Sequence, residues 1–245
     1  MKRQINIWAV IEVGCYLLTG AGLFYLVFSK HYLDFVTPKM KGYLIFSGIV
    51  FVVWGIADIP GSRKVKYKRK MGHCVLLLLP MFLLTIGSRI GSFHEAVNGF
   101  HSADEAVEVF AGTSDVADQS LSGLDTVRQE IEVKDEEYLG WMASLLREGR
   151  QYEGYMISLK GIIYQENGME KSHEFWLIRK VMSCCAADVM PVGIKCHWEG
   201  DLSLLKSEWV TVYAKVQIRE DEECYLEVRS IMEEQKPKEE YLYGN

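Results

Sequence analysis

The sequence predicts an N-terminal three-helix membrane anchor followed by an extracytoplasmic, mainly β domain, a five-stranded OB-like barrel preceded by a short helix. Three observations support this fold class: a charge asymmetry near Arg89, three apolar runs before that residue, and period-two alternation after Gly154. Residues 1–90 carry 12 Lys or Arg against 3 Asp or Glu, whereas residues 91–245 carry 15 against 30. A region with basic loops and almost no acids is typical of a membrane segment with cytoplasmic lysines.

The membrane region, residues 1–90, contains three candidate spans. The first apolar run covers residues 7–28, and its 22 residues are long enough to cross a hydrocarbon core of about 30 Å. The runs at 42–59 and 72–88 are shorter, but each falls near the lower limit for a spanning helix. We therefore expect three transmembrane helices embedded in the lipid bilayer.

The basic residues predict the orientation of these spans. Residues 60–70 hold six Lys or Arg and no acid, which favours a cytoplasmic loop. Lys2 and Arg3 place the N-terminus on the same side, so three crossings leave the C-terminal domain outside the cytoplasm. The expected location is a multi-pass protein of the cell membrane. A cleaved signal peptide is the alternative for the first run, and the two further spans argue against it.

The exterior part divides at about residue 134. Residues 91–133 are rich in small and acidic residues without periodicity, which indicates a juxtamembrane linker. Residues 134–245 begin with a helix, for which Asp135 offers an N-cap and Tyr138, Trp141 and Leu145 a buried stripe. The net charge of −15 from residue 91 onward repels phosphate backbones, so we expect no nucleic-acid partner.

Five strands follow the helix. Alternating apolar residues mark runs beginning near Ile157, Phe175, Val192, Val210 and Leu226. A small antiparallel barrel, OB-like in its closure, is the simplest way for five such strands to bury one face each. About 110 residues are enough for a single core.

Four exterior cysteines dominate the candidate chemistry, and three interpretations stay open. An even number of cysteines in an oxidising compartment favours disulfide pairing or buried thiols. A mixed set of sulfur, nitrogen and oxygen ligands would instead suit Zn, and an exposed thiol would suit redox exchange. The metal candidates are Cys185, Asp188, Cys196 and His197. Adjacent cysteines on a strand point to opposite faces, so Cys184 and Cys185 share a ligand only if a turn begins there, as residues 186–191 favour.

Catalytic motifs are missing from the sequence. It contains no GxSxG, no P-loop and no dinucleotide fingerprint, and its exterior histidines lack metalloenzyme spacing. We therefore expect no catalytic residues and no enzyme activity.

Four segments of the exterior domain carry a resemblance to a known family. They are the stretch from Phe175 to Asp188, the strand from Val192 to Trp198 and the flanking strands at 154–161 and 208–212. These segments resemble the YcgQ family of permease-subunit membrane proteins. The matching positions include Arg179, Cys185, Asp188 and Gly193. The resemblance implies a membrane anchor with an extracytoplasmic domain, working beside a polytopic permease of the YcgR or YraQ type. Together with the local chemistry, it indicates a binding corner made of Arg179, Cys184, Cys185, Asp188, Cys196 and His197.

The expected function is an accessory subunit of a membrane transport system, whose exterior domain binds the permease or captures its solute. An extracytoplasmic zinc-type metal-binding protein is the first alternative. A thiol-disulfide redox protein is the second.

Overall fold

The computed structural model describes residues 7–59, 79, 121–165, 169–219, 223–237 and 240–243. Two long helices, α1 (Ile7–Phe28) and α2 (Lys41–Asp58), belong to a first compact unit. A short helix, α3 (Tyr138–Glu148), and all the strands belong to a second unit. The predicted span at 72–88 lies outside the described residues apart from Leu79, as does the basic loop at 60–70.

Helices α1 and α2 pack against each other through small residues. A Cβ on Gly20 would lie 2.8 Å from Val52, and one on Gly48 would lie 3.2 Å from the Phe24 ring. Small residues allow helix backbones to approach closely, which is how helices associate in lipid. Both helices are long and apolar enough to cross a membrane, which confirms two of the predicted apolar helices.

The second unit contains one sheet of eight strands within the described residues. In chain order these are β1 (Leu124–Asp125), β2 (Glu130–Glu132), β3 (Met156–Tyr164), β4 (Glu174–Met182), β5 (Met190–His197), β6 (Trp209–Ile218), β7 (Cys224–Glu233) and β8 (Tyr241–Tyr243). Five of them, β3 to β7, close into a barrel in the order β3-β4-β5-β7-β6, because β3 pairs with both β4 and β6. The predicted five-stranded barrel is confirmed at this level. Its pairs are antiparallel except β5 with β7, which run parallel.

The structure corrects the predicted linker boundary. Residues 91–120 lie outside the described part of the chain, but residues 121–133 are not a linker, because β1 and β2 lie there and β2 pairs in parallel with β3. Ile131, at the centre of β2, is buried in the barrel core. Composition missed these strands because they are two and three residues long, too short for a periodic pattern.

The barrel core follows the predicted alternation. The inward residues of β6 are Val210, Val212, Ala214 and Val216, all fully buried. Helix α3 packs its apolar stripe on the same core, where Trp141, Met142 and Leu145 have no exposed surface. Replacing a buried tryptophan by alanine typically costs about 3–5 kcal/mol, so this helix is an integral part of the fold.

The entry to α3 differs from the predicted cap. Residues Asp135–Glu137 form a 3₁₀ turn, and α3 starts at Tyr138 without a side-chain cap. Asp135 instead reaches the barrel and forms an ion pair with Arg179. A buried cation is a stronger partner for this carboxylate than the backbone N–H groups of a helix end.

Candidate functional site

The connection between β4 and β5 forms a compact turn. Strand β4 ends at Met182, and Ala186–Asp188 form a 3₁₀ turn before β5 begins. The backbone N–H of Ser183 donates a hydrogen bond to Asp188 Oδ1 at 3.0 Å, which holds the carboxylate over the start of the turn. Strand β4 therefore ends before Cys184, and a turn lies where residues 186–191 favoured one.

This turn brings three metal-binding side chains together. The ligand atoms of Cys184, Cys185 and Asp188 all lie within 4.8 Å of one another. Cys184 is exposed, while Cys185 and Asp188 are half-buried. All three residues lie within five consecutive positions, so the backbone of the turn sets their separation. We call these three residues the thiol–carboxylate cluster.

The structure does not bring Cys196 and His197 to this cluster, which corrects the predicted metal set. In the β4–β5 hairpin, Cys196 lies opposite Phe175 and His197 opposite Glu174, at the end of the hairpin remote from the turn. Strands rise about 3.3 Å per residue, so the eight residues of β5 separate the two ends by roughly 20 Å. The predicted corner grouped residues that are close in sequence but lie at opposite ends of one hairpin.

Cys196 and Cys224 are core residues. Both are buried, and no disulfide joins the described cysteines. Burial raises the pKa of the Cys196 thiol well above its ordinary range, and burial with the nearby Glu223 charge raises the pKa of Cys224 to about 12. Because β5 and β7 are parallel and Cys196 pairs with Leu226, strand spacing puts the Cα atoms of Cys196 and Cys224 about 8 Å apart, beyond disulfide reach.

Arg179 is fully buried inside the barrel. Its Nη1 donates to Asp135 Oδ1 at 2.5 Å, so its carboxylate partner is Asp135 rather than Asp188. The guanidinium carbon lies 5.1 Å from the centre of the Trp209 ring and 5.8 Å from that of Tyr138. Burial raises the pKa of Tyr138, with only partial opposition from the Arg179 charge, so the phenol stays neutral. Arg179 therefore links α3 to the barrel core.

His197 lies near a cleft at the other end of the hairpin. Its ring faces that of His173 edge-on, with centroids 6.4 Å apart. The cleft has a volume of about 660 Å³ and includes His173 among its walls. Its other lining residues come mostly from the β5–β6 connection and are Ile163, Gln165, Trp198, Glu199, Gly200, Asp201, Leu202, Ser203, Leu205, Lys206, Ser207 and Glu208. Trp198 and His173 contribute aromatic surface to the lining, and Glu199, Asp201 and Glu208 contribute carboxylates, which suits a small polar ligand or a partner loop.

Sequence reasoning missed two parts of these arrangements. One is the role of Asp135 as the partner of Arg179, which lies 44 positions away. The other is the cleft, whose walls come from two separate connections. Neither leaves a local signal, because each depends on barrel closure.

Residues 112–244 match the family described as the DUF1980 C-terminal domain. The chain belongs to this family. The match covers more than half of the sequence and contains the whole barrel, α3 and the thiol–carboxylate cluster. No curated protein matches the chain. In this chain, therefore, the DUF1980 C-terminal domain is a closed five-stranded barrel whose β4–β5 turn carries two adjacent cysteines and an aspartate.

Proposed function

We propose that this chain is an accessory subunit of a membrane transport system, in which the barrel domain binds a permease or captures its solute. The observation that carries the proposal is the union, in one polypeptide, of two helices long enough to cross a membrane with a closed barrel. The resemblance to the YcgQ family adds the expected partner, a polytopic permease of the YcgR or YraQ type. The chain acts by binding and not by catalysis.

The proposed topology has three spans, a cytoplasmic N-terminus and an extracytoplasmic barrel. Glycine-mediated packing of α1 on α2 supports a helix pair built for lipid, since exposed apolar side chains such as Leu18, Phe46 and Trp54 surround it. The basic residues at 60–70 supply the orientation.

We further propose that the barrel is an OB fold. Its first three strands, β3 to β5, form a meander, and the fourth, β6, returns to pair with the first. The third and fifth strands, β5 and β7, pair in parallel, and a helix packs on the core. OB folds use such a frame to bind diverse ligands, so the fold itself names no solute.

The direct test is copurification of the full chain with a co-expressed permease of the YcgR or YraQ type. We expect a stable complex in mild detergent, and its absence at matched expression would refute the proposal. Variants of two exposed glutamates then test whether the cleft contacts the permease. Glu199 lies in the cleft, and Glu136 lies outside it. Glu199→Arg should reduce the recovered permease while Glu136→Arg should not. Equal recovery with both variants would exclude the cleft as the contact surface.

A second test addresses topology. A cysteine introduced at Glu170 should react with an impermeant thiol reagent on intact cells, and one introduced at Lys66 should not, once reactive native cysteines are replaced. Labelling of the Lys66→Cys variant in sealed cells would contradict the proposed orientation.

A further inference from the structure

The thiol–carboxylate cluster has the donor set of a metal site. It combines two sulfur atoms and one carboxylate, with every pair of ligand atoms within 4.8 Å. Soft thiolate ligands select zinc and its neighbours over calcium or magnesium, which prefer an all-oxygen shell.

The spacing of the cluster lies close to that of a bound ion. Two sulfurs at about 2.3 Å from one tetrahedral ion lie about 3.8 Å apart, and a sulfur and a carboxylate oxygen lie about 3.6 Å apart. The ligand atoms of the cluster, which lie within 4.8 Å of one another, are therefore at most about 1.2 Å farther apart than a bound ion would hold them. The hydrogen bond from Ser183 N to Asp188 Oδ1 orients the carboxylate as an outer partner of a metal ligand does.

The cysteines of the cluster differ in exposure from the other two cysteines of the barrel domain. Cys196 and Cys224 are buried in the core, where their raised pKa values keep them as neutral thiols. Cys184, by contrast, is exposed, and Cys185 is half-buried. Solvent therefore reaches the cluster at Cys184, and each thiol that becomes a thiolate ligand would release its proton.

We propose that Cys184, Cys185 and Asp188 bind a thiophilic divalent cation of the zinc class. Three protein ligands leave one tetrahedral position for water or for a ligand from a partner, which is the arrangement of an exchangeable site and not of a closed structural one. If the transport role proposed above holds, the cluster gives the exterior domain its solute class. That second step rests on the proposed function, whereas ion binding does not.

The test is a titration of the full chain, purified in detergent and kept reduced, with Zn²⁺ against a chromophoric competitor and with Cd²⁺ followed by its thiolate absorption in the ultraviolet. We expect one equivalent of either ion. Cys184→Ser and Cys185→Ser should each weaken binding at least about 100-fold, because each removes one of only three protein ligands, and Asp188→Asn should weaken it about 10-fold. Ser183→Ala is the matched control, since it retains the backbone N–H and all three ligands, and it should bind as the unmodified chain does.

Two results would overturn the site. One is Zn²⁺ binding no tighter than that of a Cys184→Ser/Cys185→Ser double variant whose circular dichroism matches the parent. The other is a stoichiometric ion that all three ligand variants retain. Thiol titration before each experiment verifies that both cysteines are reduced. Copurification with the permease is a separate measurement. Zinc binding without a complex would support the metal site and refute its role in transport. A complex without zinc binding would support the transport role and refute the metal site.

Discussion

The ion pair between Arg179 and Asp135 provides the sharpest stability prediction. Asp135→Asn retains the shape of the side chain but removes its charge, leaving the buried Arg179 guanidinium without a carboxylate. Within the described residues the Arg179 Nε and Nη2 have no hydrogen-bond partner, so the hydrogen bond from Nη1 to Asp135 is what satisfies this buried cation there. We expect the free energy of unfolding of the barrel to fall.

The expected loss of stability depends on how far the Arg179 and Asp135 side chains are exposed to water. A hydrogen bond to a charged group contributes about 1.5–3 kcal/mol when it is shielded, and an exposed ion pair contributes about 0–1 kcal/mol. Arg179 is 0% exposed and the Asp135 side chain 47%, so water can replace part of what the carboxylate supplies. The rings of Trp209 and Tyr138 continue to face the cation. We therefore expect a loss of about 2 kcal/mol, or roughly a 30-fold change in the unfolding equilibrium.

The assay is urea unfolding of the full chain in detergent, followed by tryptophan fluorescence, because Trp209 lies against Arg179. A double-mutant cycle isolates the pair. Arg179→Met removes the cation and keeps an unbranched apolar stem, and its own effect on stability is the reference for the cycle. Adding Asp135→Asn in that background should then cost almost nothing. An equal cost in both backgrounds would refute the ion-pair explanation.

Three further predictions concern other parts of the barrel unit. Burial opposes ionisation of Glu240, but its ion pairs with Lys180 and Lys236 outweigh this effect and lower its pKa. The stabilisation from this carboxylate should be fully present above the ordinary glutamate pKa and should be lost as the pH falls through the lowered value. Glu240→Gln should therefore flatten the pH dependence of the urea midpoint. In native protein at neutral pH, maleimide should modify Cys184 rapidly and Cys196 only after unfolding, as peptide mass spectrometry can measure; equal rates would contradict the burial of Cys196. Gly193→Ala should prevent native β4–β5 pairing, because an added Cβ would lie 2.8 Å from the Ile178 Cα atom; amide hydrogen exchange unchanged in both strands would refute this.

Local patterns were sufficient to predict much of the fold. The strand assignments rest on alternation that packing preserves, as Val210, Val212 and Val216 show by their complete burial. The two N-terminal helices follow from run length alone. The strands β1 and β2 could not be predicted this way, because β2 is held by pairing with β3 and β1 by pairing with β2, and both carry little pattern of their own.

The candidate site, too, was predictable only where its geometry depends on neighbouring residues in the sequence. The proximity of Cys184, Cys185 and Asp188 was predictable because a turn of a few residues fixes it locally. The positions of Cys196 and His197 depend on where the hairpin turns, which is a question of register. The Asp135 partner of Arg179 depends on where α3 packs, which no local pattern reveals.

Hairpin register links the cluster to the barrel core. In β4, the side chains of Leu177, Arg179 and Val181 point inward, and a slip of one residue would turn all of them outward. Gly193 opposes such a slip, because it lies opposite Ile178 where the strands leave no room for a Cβ. With the register fixed, β4 pairing with β5 ends at Val181 and Met190, and the residues between must form the turn. The contacts that bury Arg179 therefore also determine that Cys184, Cys185 and Asp188 meet in one short loop.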